Sequence, residues 1–224
     1  MRTISPFEVP QLTFETAELC GQLSDQTASR HEYPTHAPPI VGLNMAYNSI
    51  IQAFELLDFY YHHWSKIAGR SPADHQSDNL IVEQEERISH IQKSTFILTL
   101  SAFEAAAKQA LALSNSPLEP TKERTYLSGI MARSHRSGLI DDEDRDLWKF
   151  AIELRNCIVH NNAIAERNFR YDLGTGLTLE MNDGHMTQST PRKSNLLLKA
   201  VVKSYARWCD AFLSALSNAQ SKPE

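Results

Sequence analysis

The sequence predicts an all-α protein, a single helical bundle of about five helices with a small β-hairpin inserted before the last helix. Two observations carry this prediction. Apolar residues recur at spacings of three and four over most of the chain beyond residue 42, which is typical of helices that bury one face. One short segment, residues 168–182, alternates at every second position instead, which is typical of paired strands.

The N-terminal segment, residues 1–42, shows little sustained apolar period. It is predicted to be an extended arm with one short helix near residues 14–23. Five prolines lie in it: Pro6, Pro10, Pro34, Pro38 and Pro39. We expect the bundle to occupy residues 43–218 and the polar residues 219–224 to form a tail.

The first two helices of the bundle are predicted from stripes of apolar side chains. Residues 43–68 carry such a stripe at Ile50, Phe54, Leu57 and Tyr61. A long helix over residues 79–113 follows. Its small residues would let a neighbouring helix approach closely, and they are Ala102, Ala105, Ala106 and Ala107.

Three further helices complete the bundle. One covers about residues 121–134, and the next covers residues 143–160. The acidic run from Asp141 to Asp144 places negative charge at the start of the latter, where the helix dipole favours it. The apolar face of this helix contains Leu147, Phe150, Ala151, Leu154 and Ile158. The last helix covers residues 196–216.

The hairpin is predicted from two alternating runs around a glycine turn. The turn is Gly174-Thr175-Gly176. The alternating apolar residues of the two runs are Phe169, Tyr171 and Leu173, then Leu177, Leu179 and Met181.

Composition and charge narrow the functional classes. The net charge of −5 argues against a protein coated in basic surface for duplex DNA. No run of about 18 apolar residues is present, so we expect no membrane partner. The first residues lack the apolar core of a signal peptide, and three scattered cysteines, Cys20, Cys157 and Cys209, indicate reduced thiols in a cytoplasmic protein. No His and Cys spacing suits a metal and no phosphate-binding glycine loop occurs, so neither a metal nor a cofactor is expected.

The chemistry of the chain is predicted to lie at Arg155 and His160, near the end of one helix. On a straight helix they are separated by about 140° of rotation and roughly 7.5 Å of rise, so they bracket a groove without touching. Arginine stays charged and can hold phosphate with two donors, whereas histidine can accept or donate a proton near neutral pH. The pair therefore indicates phosphate chemistry, with Asn156 able to orient either residue.

The same residues also have a simpler interpretation. An arginine and a histidine in a last turn complement the helix dipole, and Asn161-Asn162 is an ordinary helix exit. The spacing alone leaves both interpretations open.

A second apolar sector of this helix contains Trp148, Ile152 and Val159. Apolar side chains on a solvent-facing sector indicate a partner surface, and a second copy of the chain is the commonest partner. A twofold axis there would gather two copies of Arg155 and of His160 around one cleft. We therefore expect a homodimer interface at this face.

Two segments carry a family resemblance. Arg155-Asn156-x-x-x-His160 resembles the Arg-x4-6-His signature, with a polar residue after the arginine, of the HEPN superfamily (higher eukaryotes and prokaryotes nucleotide-binding). The context Val159-His160-Asn161 is similar as well. The segment from Thr95 to Ala105, with Glu104 after an aromatic residue, resembles the long helix of the RiboL-PSP-type branch. Together the matched segments cover about residues 92–113 and 144–162.

The resemblance implies a helical bundle that dimerises through the motif helix and cleaves RNA without a metal. It implies that His160 activates the 2′-hydroxyl or protonates the 5′-oxygen, that Arg155 stabilises the transition state, and that products carry a 2′,3′-cyclic phosphate. Asn156, Asn161 and Glu104 would support the site, and Glu104 would either position Arg155 or only pair with a neighbouring cation. It further implies a toxin or phage-defence effector with an antitoxin protein as partner.

Two other interpretations stay open. A non-catalytic HEPN-like module would use the Trp148 and Ile152 face for a protein partner and the Arg155 and His160 pair for an RNA or nucleotide phosphate. In a purely structural helical protein the motif would be a coincidence, and Trp148 would be covered by the chain's own N-terminal arm.

Overall fold

The computed structural model describes residues 8–68, 75–118, 125–174, 177–187 and 190–220. The elements, in chain order, are α1 (Glu8–His31), α2 (Val41–Ala68), α3 (His75–Leu111), α4 (Leu127–Arg136), α5 (Asp142–His160), β1 (Phe169–Asp172), β2 (Thr178–Met181) and α6 (Pro191–Gln220). The predicted helical bundle with a small hairpin before the last helix is confirmed.

Several element boundaries differ from those predicted. The helix expected over residues 121–134 is α4, which begins at Leu127, and residues 119–124 lie outside the described residues. Helix α6 is longer at both ends than the expected 196–216. It includes the first two residues of the expected tail, and residues 221–224 lie outside the described part. Thr175 and Gly176 of the expected turn also lie outside it.

The expected extended arm is wrong for residues 8–31, where the short helix expected near residues 14–23 is part of the 24-residue helix α1. Its buried face consists mainly of small and hydroxyl side chains, including Thr13, Ala17, Cys20 and Ser24. These residues repeat at helical spacing but add little hydrophobicity, which is why an apolar pattern did not reveal them. Pro10 lies in the first turn, where helix N–H groups have no intrahelical partner, so it does not interrupt the helix.

Helix α1 packs on α2 and α6, and polar contacts join its C-terminal end to α6. Arg30 forms an ion pair with Asp210 of α6, and His31 Nε2 lies 3.2 Å from the same carboxylate. These contacts make residues 8–31 an integral layer of the bundle.

The centre of the core is an aromatic cluster between α3, α5 and α6. The rings of Phe103 and Tyr205 stack with centroids 4.0 Å apart. Trp148 from α5 packs edge-on against Phe103, with centroids 6.3 Å apart. Gly42 at the start of α2 permits this arrangement, because a Cβ at that position would lie 2.7 Å from the Tyr205 hydroxyl. The motif helix is thus anchored to the centre of the protein.

The hairpin covers one side of α5. Its antiparallel register pairs Phe169 with Met181 and Tyr171 with Leu179. The rings of Phe169 and Tyr171 lie 6.2 Å and 6.0 Å from that of Phe150 on α5. The alternating apolar residues of β1, Phe169 and Tyr171, therefore pack on α5, and those of β2, Leu179 and Met181, are buried.

Across the described ranges, no helix combines the length and apolar character needed to cross a membrane.

Candidate functional site

Helix α5 carries the motif, and acidic residues fix its N-terminal end. Asp141 caps the helix, its side chain accepting a hydrogen bond of 2.8 Å from the Asp144 backbone N–H. The buried Asp144 carboxylate binds Arg207 of α6 through two nitrogens, Nε at 3.1 Å and Nη2. The hydrogen bond to Asp144 raises the pKa of Arg207 above its ordinary value. The acidic start predicted for this helix thus both caps it and joins it to α6.

Arg155 lies on the side of α5 that faces α3. Its Nη1 is 3.4 Å from Glu104 Oε2, and its Nη2 is 3.4 Å from the Ser101 hydroxyl. The side chain is 26% exposed, and its buried Nε has no hydrogen-bond partner among the described residues. The guanidinium is therefore held by Glu104 and Ser101 on its buried side, and part of it remains exposed at the surface.

Glu104 binds a second cation more closely. Lys108, one helical turn further along α3, places its Nζ 2.6 Å from Glu104 Oε1. That amine also lies 5.8 Å from the ring centre of Tyr126, which is an exposed aromatic residue. The Glu104 carboxylate thus contacts two cations, Lys108 and Arg155, so the cluster of these three side chains has a net positive charge.

His160 is the last residue of α5, and its side chain is exposed. No hydrogen bond or ion pair to it is found among the described residues. The chain leaves the helix by a tight turn in which the Cys157 carbonyl accepts from the N–H groups of Asn161 and Ala163, at 3.1 Å and 2.8 Å. Both Asn162 and Ala163 have positive φ, of 50° and 66°. This turn ends the helix directly after His160 and leaves the imidazole at the surface.

The structure brings together some of the predicted site residues. Glu104 and Arg155 are in contact, whereas no hydrogen bond among the described residues joins Arg155 to His160, which helix geometry places about 140° apart around α5. Asn156 is exposed, with no hydrogen bond among the described residues. Asn161 donates from Nδ2 to Glu166 at 2.7 Å and so stabilises the turn after the helix.

The predicted partner face is partly wrong. Trp148 is only 1% exposed and belongs to the core, so it offers no surface to a partner. The prediction assumed that α5 has a single buried side, but α3, α4, α6 and β1 all contact it and widen its buried sector. Ile152 is half-buried and Val159 is 47% exposed, so these two remain at the surface. Trp148 packs against Phe103 and belongs to the main core cluster, which also contains Ala17 and Cys20 of α1.

Sequence reasoning missed three members of the cluster: Ser101, Lys108 and Tyr126. The four-residue spacing from Glu104 to Lys108 is a signal for an ion pair on a helix and could have identified Lys108. Tyr126 belongs to a different segment, so only the tertiary structure brings it to this place.

The thiol between the two motif residues is not suited to chemistry. Cys157 is 2% exposed, and burial, with a smaller contribution from Glu153, raises the pKa of its thiol. The thiolate is therefore disfavoured near neutral pH. In the described ranges, no three His, Cys, Asp or Glu side chains are grouped so as to hold a metal ion.

No protein-family model, curated protein or solved structure matches this chain.

Proposed function

We propose that this protein is a metal-independent endoribonuclease of the HEPN superfamily, with Arg155 and His160 as its catalytic residues. The observation that carries the proposal is that Arg155 is held by Glu104 and Ser101 while His160, on the same helix, stands exposed and without a described partner. A positioned cation and an accessible imidazole are the two groups that metal-free cleavage of a phosphodiester requires.

The geometry around Arg155 suits a phosphate ligand. Both contacts of its guanidinium are long, at 3.4 Å, whereas the Lys108 amine is the closer partner of Glu104 at 2.6 Å. The Glu104 charge is therefore shared, and Arg155 retains donors for an incoming anion. Glu104 acts as a positioning residue, and Lys108 adds positive charge beside the site.

The chemical step follows from these groups. The ribose 2′-oxygen attacks the adjacent phosphorus, and its proton passes to one imidazole. The bond from phosphorus to the 5′-oxygen breaks, and that oxygen takes a proton from a second imidazole. Arg155 donates to the nonbridging oxygens as charge develops on them. The products are a 2′,3′-cyclic phosphate and a 5′-hydroxyl.

Two copies of the chain supply the two imidazoles in this proposal. Arg155 and His160 do not meet within one chain, since about 140° of helix rotation and roughly 7.5 Å of rise separate them. A twofold contact over α5 would cover the exposed Val159 and the half-buried Ile152. Leu98 of α3, one turn before Ser101, is exposed as well and would extend the same surface.

The remaining parts of the proposal rest on the resemblance of the motif. We place the enzyme in the cytoplasm, where its three free cysteines stay reduced. We assign it the role of a toxin or phage-defence effector whose activity an antitoxin protein restrains.

A non-catalytic binding module is the second candidate, and one observation favours it. Arg155 already contacts Glu104 and Ser101, and no hydrogen bond among the described residues joins it to His160. Such a module would bind an RNA phosphate or a nucleotide without cutting it.

Substitution of the motif residues separates the two candidates. Arg155→Ala and His160→Ala should each lower cleavage of a mixed RNA by at least about 100-fold. Arg170→Ala and His36→Ala, which change exposed residues elsewhere, should leave the rate unchanged. Equal cleavage by wild type and both motif variants would remove these residues from the mechanism. RNA binding without cleavage by the wild type would establish the binding module.

A further inference from the structure

A cavity of about 570 Å³ lies between α3, α5, β2 and the first turns of α6. Its volume falls within the range of about 300–1,000 Å³ that is typical of small-molecule sites. Neither Arg155 nor His160 lines it, although Leu154 and Ile158, on another side of α5, do. The proposed ribonuclease chemistry makes no use of this space.

One part of the cavity wall is apolar, and polar side chains such as Thr13, Thr95 and Asn195 form the rest. Side chains from four elements form its wall, including Phe96, Phe150, Leu154, Met181, Leu197 and Leu198. Most of these are also buried in the protein core, so the wall is fixed by packing. An apolar ligand would gain the free energy of leaving water, and because the wall is already formed, binding would require no rearrangement of it.

Two lysines from different helices line the same cavity. Lys193 on α6 donates from Nζ to the Thr178 carbonyl at 3.1 Å, and Lys93 on α3 is half-buried. Within the described residues, neither lysine has an ion pair with a carboxylate. Glu180 also lines the cavity, but its side chain is 54% exposed and lies 3.8 Å from Arg170. The lining therefore carries an excess of positive charge.

The N-terminal end of α6 adds to the positive electrostatic potential of the cavity. Thr190 accepts two hydrogen bonds from the first turn of α6. The Lys193 backbone N–H donates to the Thr190 hydroxyl at 3.3 Å, and the Ser194 backbone N–H donates to the Thr190 carbonyl at 3.0 Å. Those N–H groups are therefore satisfied by the chain itself. The helix contributes the field of its dipole, which favours a negative group near its first turn.

Asn195 supplies an independent indication of a polar ligand atom. It lines the cavity and is 5% exposed. Its Oδ1 lies 3.0 Å from the Thr13 hydroxyl, whose single proton also lies within reach of the Val9 carbonyl at 2.9 Å, and its buried Nδ2 has no hydrogen-bond partner among the described residues. An unsatisfied buried donor destabilises the folded protein, so a ligand acceptor placed beside it would relieve that cost.

We propose that this cavity binds a small amphipathic anion, with an apolar body and one anionic head. The body would occupy the space between Phe96, Phe150 and Leu198. The head would contact Lys93 and Lys193 and accept from Asn195. This site is separate from the proposed ribonuclease site and does not depend on it.

The test uses the full-length protein and the fluorescent probe 1-anilinonaphthalene-8-sulfonate, which has an aromatic body and a sulfonate. Its displacement is followed with dodecanoate, dodecyl phosphate and dodecanol, each kept below the concentration at which it aggregates. Dodecanoate or dodecyl phosphate should displace the probe at least about ten-fold more strongly than dodecanol, since a charged hydrogen bond contributes on that scale. The tighter of the two anions identifies the head group as carboxylate or phosphate.

Lysine substitutions locate the head. The double variant Lys93→Gln with Lys193→Gln should weaken anion binding by at least about ten-fold and leave dodecanol binding unchanged. Lys203→Gln, an exposed change on the same helix α6, should bind as the wild type does. No displacement by either anion, equal displacement by dodecanol, or unchanged anion affinity in the double variant would overturn the proposal.

Discussion

Glu104 of α3 and Arg155 of α5 form an ion pair across the interface of the two helices, with Arg155 Nη1 3.4 Å from Glu104 Oε2. The Glu104 side chain is 11% exposed and the Arg155 side chain 26% exposed. This contact links the two sequence segments that carry the family resemblance, since one contains Glu104 and the other contains Arg155.

A double-mutant cycle measures the strength of this pair. For Glu104→Gln and Arg155→Gln we expect a coupling of about 1 kcal/mol in the free energy of unfolding, because the contact is partly shielded from water. Urea unfolding of the two single variants, the double variant and the wild type supplies the four values. The exposed pair Glu83 and Arg87, 3.6 Å apart on one helix, is the matched control and should couple by less than about 0.5 kcal/mol. Equal coupling in the two cycles would mean that Glu104 does not hold Arg155.

Trp148 should behave as a core residue. Trp148→Ala removes a side chain that is 1% exposed and packed on Phe103, so we expect a loss of about 3–5 kcal/mol in the free energy of unfolding. Val159→Ala, on the exposed side of the same helix, should change it by less than about 0.5 kcal/mol. Chemical denaturation followed by circular dichroism tests both. A Trp148→Ala variant as stable as the wild type would place the indole outside the core.

Val159 tests the proposed twofold contact. Val159→Glu puts two carboxylates next to each other at the symmetry axis, so the variant should be monomeric at concentrations where the wild type is dimeric. Sedimentation equilibrium gives the mass of each. Leu56→Glu changes an equally exposed position on α2, and this variant should form the same dimer as the wild type. A monomeric wild type, or a dimer that tolerates glutamate at position 159, would contradict the interface.

Buried Cys20 should make stability fall at alkaline pH. Burial raises the pKa of its thiol from 9.0 to about 12. Below pH 9 the thiol is protonated in both states. Between that pH and about 12 it ionises only when the chain unfolds, so the free energy of unfolding should fall by about 1.4 kcal/mol per pH unit on its account.

The Cys20 contribution is isolated by substitution. Between pH 9 and about 12, the free energy of unfolding of the Cys20→Ala variant should fall less steeply with pH than that of the wild type, by about 1.4 kcal/mol per pH unit. Urea unfolding in reducing buffer measures both slopes. Ala17→Gly weakens the same buried face without removing a titratable group and should keep the slope of the wild type. Identical slopes in wild type and Cys20→Ala would show that this thiol does not contribute.

The fold could be predicted where large apolar residues repeat. Helices α2, α3, α5 and α6 and the hairpin have such patterns, whereas α1 buries Thr13, Ala17 and Cys20 and so lacks a strong one. Its position depends on packing against α2, the next helix along the chain, and against α6, which is distant in sequence.

The site could be predicted only in part. The resemblance singled out Glu104 and Arg155, and the structure places them in contact. The location of Trp148 could not be derived from a helical projection, because α5 is enclosed by more than one neighbour. Tyr126, just before α4, contacts the Lys108 amine of α3, and no local sequence pattern predicts a contact between two such separate segments.

The most direct measurement is the chemistry of the RNA ends. Purified wild-type protein is incubated with mixed RNA in the presence of a chelator, and the fragments are analysed by mass spectrometry. Fragments ending in a 2′,3′-cyclic phosphate and beginning with a 5′-hydroxyl, absent with His160→Ala protein prepared in the same way, are the expected result. Intact RNA, or the same fragments from the His160→Ala protein, would contradict a metal-independent ribonuclease built on Arg155 and His160.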